Sequence, residues 1–306
     1  MSSNAYTTQL RALMCPTCGA PVTTSLQGGT YQCGYCRTHG SVGARNNARM
    51  QRPPPSAAEE QARLAKLAFQ YEQGPQASPY STFVAPTDVM HLAQLRPPNS
   101  WGPWFEAWKY AVAVLGQDPS PHNQKRVAWL AQLTTTGILD LTTNDPTRAR
   151  AIRETALELL PDPGHKHLIR CALSRAACLQ GDLASAEQWL AACDPYPGNI
   201  TLDTDYRMSA SYLHVAHGNW NGVFEKLGNQ PGVVPLDYGR DMLAGLLRVH
   251  ACEELGYTQA ADGQLGWLFK KEKQLDGPIL LSIMKANRGL HLCQRICARR
   301  GIQIPQ

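Results

Sequence analysis

Four of the chain's ten cysteines fall within its first 40 residues, in the stretch MCPTCGAPVTTSLQGGTYQCGYCRTHG. Cys15, Cys18, Cys33 and Cys36 form two C-x2-C pairs separated by 14 residues. A C-x2-C pair folds as a tight turn that aims both sulfurs at one point. Two such pairs supply four thiolates, the donor set of a closed tetrahedral Zn2+ site. With every position filled by protein, none is left for a substrate, so the metal would be structural. A module this small cannot bury enough apolar surface to fold alone, and metal binding would supply its folding free energy. The same residues also read as free or disulfide-bonded thiols, or as a redox C-x-x-C motif. Against the redox reading stand the two copies and the lack of a βαβ pattern around them.

Other groups could do chemistry, but in less defined patterns. His214 and His217 are three apart on a helix, His165 and His167 flank a turn, and Cys293 and Cys297 are four apart with His291 nearby. Each set lacks a third ligand at a recognisable spacing. Cys171, Cys178, Cys193 and Cys252 occupy apolar helical positions, where cysteine behaves as a small buried hydrophobe. No P-loop, Rossmann glycine run, HExxH or GxSxG is present. The expectation is a protein that is not an enzyme and has no catalytic residues.

The elements that must position the four thiolates are short. Gly19 follows the first pair, where the chain bends back, and PVTTSLQGGTYQC reads as strand, Gly-Gly turn, strand. Such a hairpin would bring the two pairs together. This stretch resembles a zinc ribbon. The residues that carry the resemblance are CPTCGAPV and YQCGYC, and it covers about residues 12–42. The second pair is followed by Arg37 where the first has a glycine, and the 14-residue spacing is just below the family's usual range. Ribbons of this type imply a protein-contact module, or a nucleic-acid arm.

Residues 37–56, RTHGSVGARNNARMQRPPPS, read as a linker, because Gly, Asn and a triple proline prevent both helix and ladder. The ribbon is therefore expected to be mobile and held away from the rest. A helix starts after Ser56, with Glu59 completing a capping box, and ends at Gly74-Pro75. Residues 74–100 are loop-rich, with one short helix near DVMHLAQL. Ser100 can cap the next helix, on which Trp101, Trp104 and Trp108 share one face. Such a stripe is buried core more often than a ligand platform.

The second half is periodic. Helix, short polar turn and helix recur four times, with turns at Asn144-Asp145, Gly181-Asp182, Gly218-Asn219 and Gly256-Tyr257, at spacings of 37, 37 and 38 residues. Five residues past each turn comes a small side chain, Ala149, Ala186, Val223 or Ala261. Nine past come Arg153, Leu190, Leu227 and Leu265. The turn residue must reverse the chain tightly, and the small residue lets the second helix approach the first. Each hairpin leaves an apolar face that its neighbours cover. This part, about residues 122–272, resembles tetratricopeptide-like repeats. The clearest copy is HLIRCALSRAACLQGDLASAEQWLAACDP, residues 167–195, although the family's first-helix tryptophan and glycine are mostly missing and the period is longer. The resemblance implies a groove, lined by the first helices, that binds a peptide or protein. Counting back six from each turn gives Ile138, Arg175, Tyr212 and His250. Counting back ten gives Thr134, Cys171, Met208 and Leu246. Residues 276–300 read as a capping helix, basic at its end.

The expected fold is mainly α. A ribbon at 1–42 and a flexible basic linker at 43–56 precede a helical, loop-rich part at 57–121. Four tetratricopeptide-like hairpins at 122–275 and a capping helix at 276–306 complete an αα-hairpin solenoid. Of the net charge of +5, all lies in residues 1–58, where Arg11, Arg37, Arg45, Arg49 and Arg52 stand without an acidic residue. The remainder holds 24 basic and 24 acidic residues. Ten cysteines in 306 residues are too few for a disulfide scaffold. No secretory signal and no span of 18 apolar residues is evident, which points to the cytoplasm. The expected function is a non-catalytic adaptor or scaffold that binds protein partners. The alternative is a nucleic-acid-associated regulator whose ribbon and linker contact phosphates.

Overall fold

A computed structural model describes residues 10–15, 17–25, 27–43, 50, 52–94, 101–237, 239–273 and 279–304. The chain is mainly helical, with a small β region at its N-terminus. Four strands, β1 (Leu10–Met14), β2 (Pro21–Ser25), β3 (Gly29–Gln32) and β4 (His39–Val42), come first. The helices that follow are α1 (Ala57–Glu72), α2 (Trp101–Gln117), α3 (Pro121–Gln132), α4 (Pro146–Leu159), α5 (Pro163–Leu179) and α6 (Leu183–Ala191). After these come α7 (Ile200–Ala216), α8 (Trp220–Leu227), α9 (Asp241–Glu254), α10 (Thr258–Glu272), α11 (Ile279–Ala286) and α12 (Gln294–Arg299). Among the described residues, no helix is long and apolar enough to cross a membrane.

The strand pairing differs from the sequence expectation. β2 does not pair with β3 across the Gly-Gly turn. It folds back on β1, with Leu13 opposite Val22, and β3 pairs with β4, with Tyr31 opposite Gly40. Each C-x2-C pair thus sits in the turn of its own hairpin. Cys15 N–H donates to Ala20 O at 2.8 Å and Cys33 N–H to Thr38 O at 2.9 Å, so the cysteine turns themselves close the ladders. β4 also takes up residues first read as linker. Residues 44–49 and 51 of that linker lie outside the described residues.

Helix ends follow local chemistry. Ser56 caps α1, and Glu59 returns the bond to complete the capping box. The four turns share one construction. Asn144, Gly181, Gly218 and Gly256 are all left-handed, with φ of 50°, 76°, 69° and 79°. The next residue's N–H reaches five residues back in three cases: Asp182 to Ala177, Asn219 to His214 and Tyr257 to Cys252. This is the αL helix stop that satisfies orphan carbonyls. The same next residue then caps the following helix in three of the turns. Asp145, Asp182 and Asn219 accept from the N–H of Arg148, Ser185 and Gly222, respectively. In the first copy α3 runs on as a wider π-wound segment, Leu133–Thr143, and the Asp145 N–H closes six residues back on Leu139 instead. Ala149, Ala186, Val223 and Ala261 are all fully buried, as close helix pairing requires.

The chain divides into two compact units. The first comprises Met1–Met50, Pro79–Leu173 and Ala191–Cys193. Here the ribbon is not held away from its neighbours. β1 lies against α4, and Met14 N–H donates to the buried Thr155 Oγ1 at 2.8 Å. The ribbon's few apolar side chains explain the docking: Met14 is buried, and Lys109 of α2 closes over Gly19. Trp104 and Trp108 are buried, Trp104 stacked on Trp129 at 5.5 Å between ring centroids. The Trp101 side chain and Ser100 lie outside the described residues.

The second unit comprises Gln51–Ser78, Ser174–Leu190 and Asp194–Gln306. Leu67 of α1 is fully buried, and Arg63 beside it pairs with the buried Asp203 of α7 at 2.5 Å. Arg207 takes the second oxygen of Asp203 at 2.7 Å. The expected capping helix is broken into α11 and α12. Between them His291 and Cys293 are left-handed, and Gly289 lies so close to Leu179 O that a Cβ there would come within 2.4 Å of it.

Candidate metal centre

The ribbon turns bring all four cysteine sulfurs within 4.8 Å of one another. Cys15 Sγ lies 3.5 Å from Cys36 Sγ, and Cys18 Sγ lies 3.6 Å from Cys33 Sγ. Gly19 and Arg37, each the residue after its pair, are both left-handed, with φ of 71° and 59°. The two turns are therefore copies of one shape, although only one has the glycine that adopts it without strain. Leu13, Val22, Cys15 and Cys33 form the small core beneath the sulfurs, with Tyr31 and Val42 packed against it.

The electrostatics favour thiolate at two of the sulfurs, Cys33 and Cys36, whereas at Cys18 the Ala20 amide is outweighed by burial and the neighbouring thiols, which push the thiol up to about 11. The Thr38 hydroxyl and amide bring the Cys36 thiol down to about 6. The amides of Cys36 and Tyr35 lower Cys33. Donors aimed at Cys33 and Cys36 favour the charged form that binds a metal, and with all four sulfurs clustered the residues fit a metal ion. The arrangement offers four protein ligands and no open position, which suits a structural ion rather than a reactive one.

The eight side chains expected to line a groove are not open to solvent. Thr134, Ile138, Cys171, Met208, Tyr212, Leu246 and His250 are all buried. Arg175 is half-buried, and its guanidinium bonds Asp205 at 3.0 Å and Ser209 Oγ at 2.9 Å. In the second unit the chain's own C-terminal segment covers the expected face. Tyr212 donates its hydroxyl to Asn287, Cys293 N–H donates to His250 Nδ1 at 3.2 Å, and Cys293 Sγ donates to Leu246 O at 3.4 Å.

The remaining candidate pairs do not converge on a site. His214 Nδ1 contacts the Asn219 amide, and His217 pairs with Glu187 at 2.9 Å. His165 stands edge-on to Tyr80. Cys297 contacts the Met284 sulfur. Of the basic residues within positions 1–58, Arg52 is bound to Asp194 at 2.7 Å and to the Tyr196 carbonyl. The side chains of Arg11, Arg45 and Arg49 lie outside the described residues.

Two features escaped the sequence reading. The first is His167, Cys171 and Cys193, whose ligand atoms also lie within 4.8 Å of one another. Only the four-residue step from His167 to Cys171 was visible in sequence, because Cys193 arrives through the fold. The second is a cavity of about 250 Å3 beside α9 and α10, lined by Pro231, Arg248, Gln264, Trp267 and Leu268. Arg248 is 2% exposed. It donates to Leu227 O at 3.1 Å, and its Nε has no partner. Among the described residues no carboxylate pairs with it, since Asp241 bonds Lys271 instead. Burial lowers its pKa. An arginine inside the apolar run AGLLRVHAC was the available signal.

Comparison with known proteins adds no assignment: no protein-family model, curated protein or solved structure matches the chain.

Proposed function

We propose that the chain is a non-catalytic adaptor. A structural zinc ribbon stabilises one unit, and a tetratricopeptide-like hairpin surface on the other binds an acidic segment of a protein partner. Zn2+ is the ion that four clustered thiolates suit best, and a reducing cytoplasm is the setting in which they stay available. The recurring left-handed turn and buried small residue support the tetratricopeptide-like reading.

The observation that carries the partner reading is the buried Arg248 in the wall of the α9–α10 cavity. A desolvated charge without a counter-ion costs several kcal/mol. An incoming carboxylate would supply the missing acceptor in the bidentate geometry that a guanidinium favours. Trp267, 45% exposed on the same wall, offers apolar contact to the residue beside that carboxylate.

Affinity capture from the native cell lysate tests the reading, with wild type compared to Arg248→Met in the presence and absence of nuclease. The expected result is a defined protein that wild type retains, the variant loses, and nuclease and moderate salt leave in place. Recovery of nucleic acid that nuclease removes and salt weakens steeply would replace the adaptor reading with a nucleic-acid-associated regulator.

A further inference from the structure

Ribbon chemistry has a partial counterpart deep in the helical part of the first unit. His167 and Cys171 are one turn apart on α5 and so share a face. Cys193 enters from the chain just past α6. The three residues are 4%, 0% and 3% exposed. Cys171 Sγ and Cys193 Sγ are 3.8 Å apart, and Cys193 Sγ lies 3.8 Å from the His167 carbonyl oxygen. Arg170 Nη1 donates to Ala192 O at 3.1 Å and so holds the backbone next to Cys193.

That sulfur separation suits a shared ion. A cation bonded to two thiolates at about 2.3 Å with a tetrahedral angle spaces them at about 3.8 Å. A disulfide would need them at about 2.05 Å. We propose that His167, Cys171 and Cys193 form a second metal site, separate from the ribbon, that takes a soft d10 cation, Zn2+ or Cu+. Two thiolates and an imidazole select thiophilic ions over the oxygen-seeking Mg2+ and Ca2+. Loading replaces the thiol protons, which pass to solvent as the metal–sulfur bonds form. With Zn2+ the site is neutral, as a dry interior prefers. Among the described residues no fourth histidine, cysteine or carboxylate joins the three, a number that three-coordinate Cu+ accepts more readily than zinc.

The test uses the full-length protein, reduced and anaerobic, incubated in separate arms with Zn2+ or with Cu+. Loosely held metal is then removed on a chelating column and the bound metal counted per chain. Wild type is compared with Cys171→Ser/Cys193→Ser. His167→Gln, which keeps both sulfurs and so perturbs packing least, is the second variant. Circular dichroism confirms that each variant folds. The expected result is one more ion per chain in wild type than in the double variant in one arm, with at least tenfold weaker retention against a competing chelator in His167→Gln. The arm in which the difference falls names the ion. Equal metal content in all three proteins in both arms overturns the site. So does peptide mapping that finds Cys171 and Cys193 joined as a disulfide in the reduced preparation.

Discussion

In the ribbon, four side chains converge on one point, and the buried apolar residues beneath them are few, chiefly Leu13 and Val22 with the cysteines themselves. Among its described residues the second unit shows no such convergence. It is held by a broad apolar interior that includes Leu67, Met208, Leu246, Leu265 and Leu280, and by ion pairs such as Arg63–Asp203 that are themselves largely buried. On the proposed reading the first arrangement would concentrate stability in one ion, whereas the second spreads it over many contacts. A short local motif is therefore enough to specify the ribbon, whereas the helical unit depends on partners far apart in the chain.

Four changes would break or sharpen this contrast, in order of expected effect. Cys33→Ala should abolish metal retention by the ribbon and with it folding free energy on the order of 10 kcal/mol. Amide exchange across β1–β4 would rise to unprotected rates while α7–α10 stay protected. Simultaneous loss of both regions would show that the two share one cooperative unit.

Arg63→Met should act the other way. It leaves the 0%-exposed Asp203 with Arg207 as its remaining ion-pair partner, a loss of about 3–5 kcal/mol read in urea unfolding of the second unit. The ribbon's metal content should not change.

Acid should also act on the second unit. His250 is buried, edge-on to Trp220, and its Nδ1 accepts the Cys293 amide. Desolvation brings its pKa from 6.5 to about 4, against Glu254, which raises it, and with Arg295 and His291, which lower it further. The folded value lies below the unfolded one, so the unfolded chain binds the proton first as pH falls. Stability from this group is complete above about pH 6.5 and is lost on approach to pH 4, by about 3 kcal/mol. His250→Gln, which keeps an acceptor for the Cys293 amide, should flatten that part of the pH profile. An unchanged profile would assign the acid loss to other groups.

The smallest effect is a gain. Arg37 is left-handed at the position where the first ribbon turn has Gly19. Arg37→Gly should stabilise the metal-loaded ribbon by about 1 kcal/mol, measured as slower metal release to a chelator.

How legible each part was follows from the reach of its interactions. The clustering of the four cysteines was readable because C-x2-C is a local geometry, and the strand pairing was misread because the Gly28-Gly29 signal resembles a hairpin turn. Only the structure shows that each cysteine turn closes its own hairpin, with β2 returning to β1. The repeat turns were readable at all four positions because a left-handed stop, followed in three of them by a capping Asp or Asn, is a property of neighbouring residues. The groove residues were not. Periodicity picks a helix face but cannot say what covers it, and here residues near Asn287 and Cys293 do so for Tyr212, Leu246 and His250.

The sequence by itself determined the helical hairpins, their stops and caps, and the four ribbon thiols, all of which depend on residues within one or two turns of each other. Tertiary structure alone decided that the ribbon docks on α4 through Met14 and Thr155. It also decided that Cys193 meets His167 and Cys171, and that Arg248 faces a cavity without a carboxylate. Those outcomes rest on contacts between residues 21 to 141 positions apart, whose pairing is set by burial and packing and leaves no periodic trace in the chain.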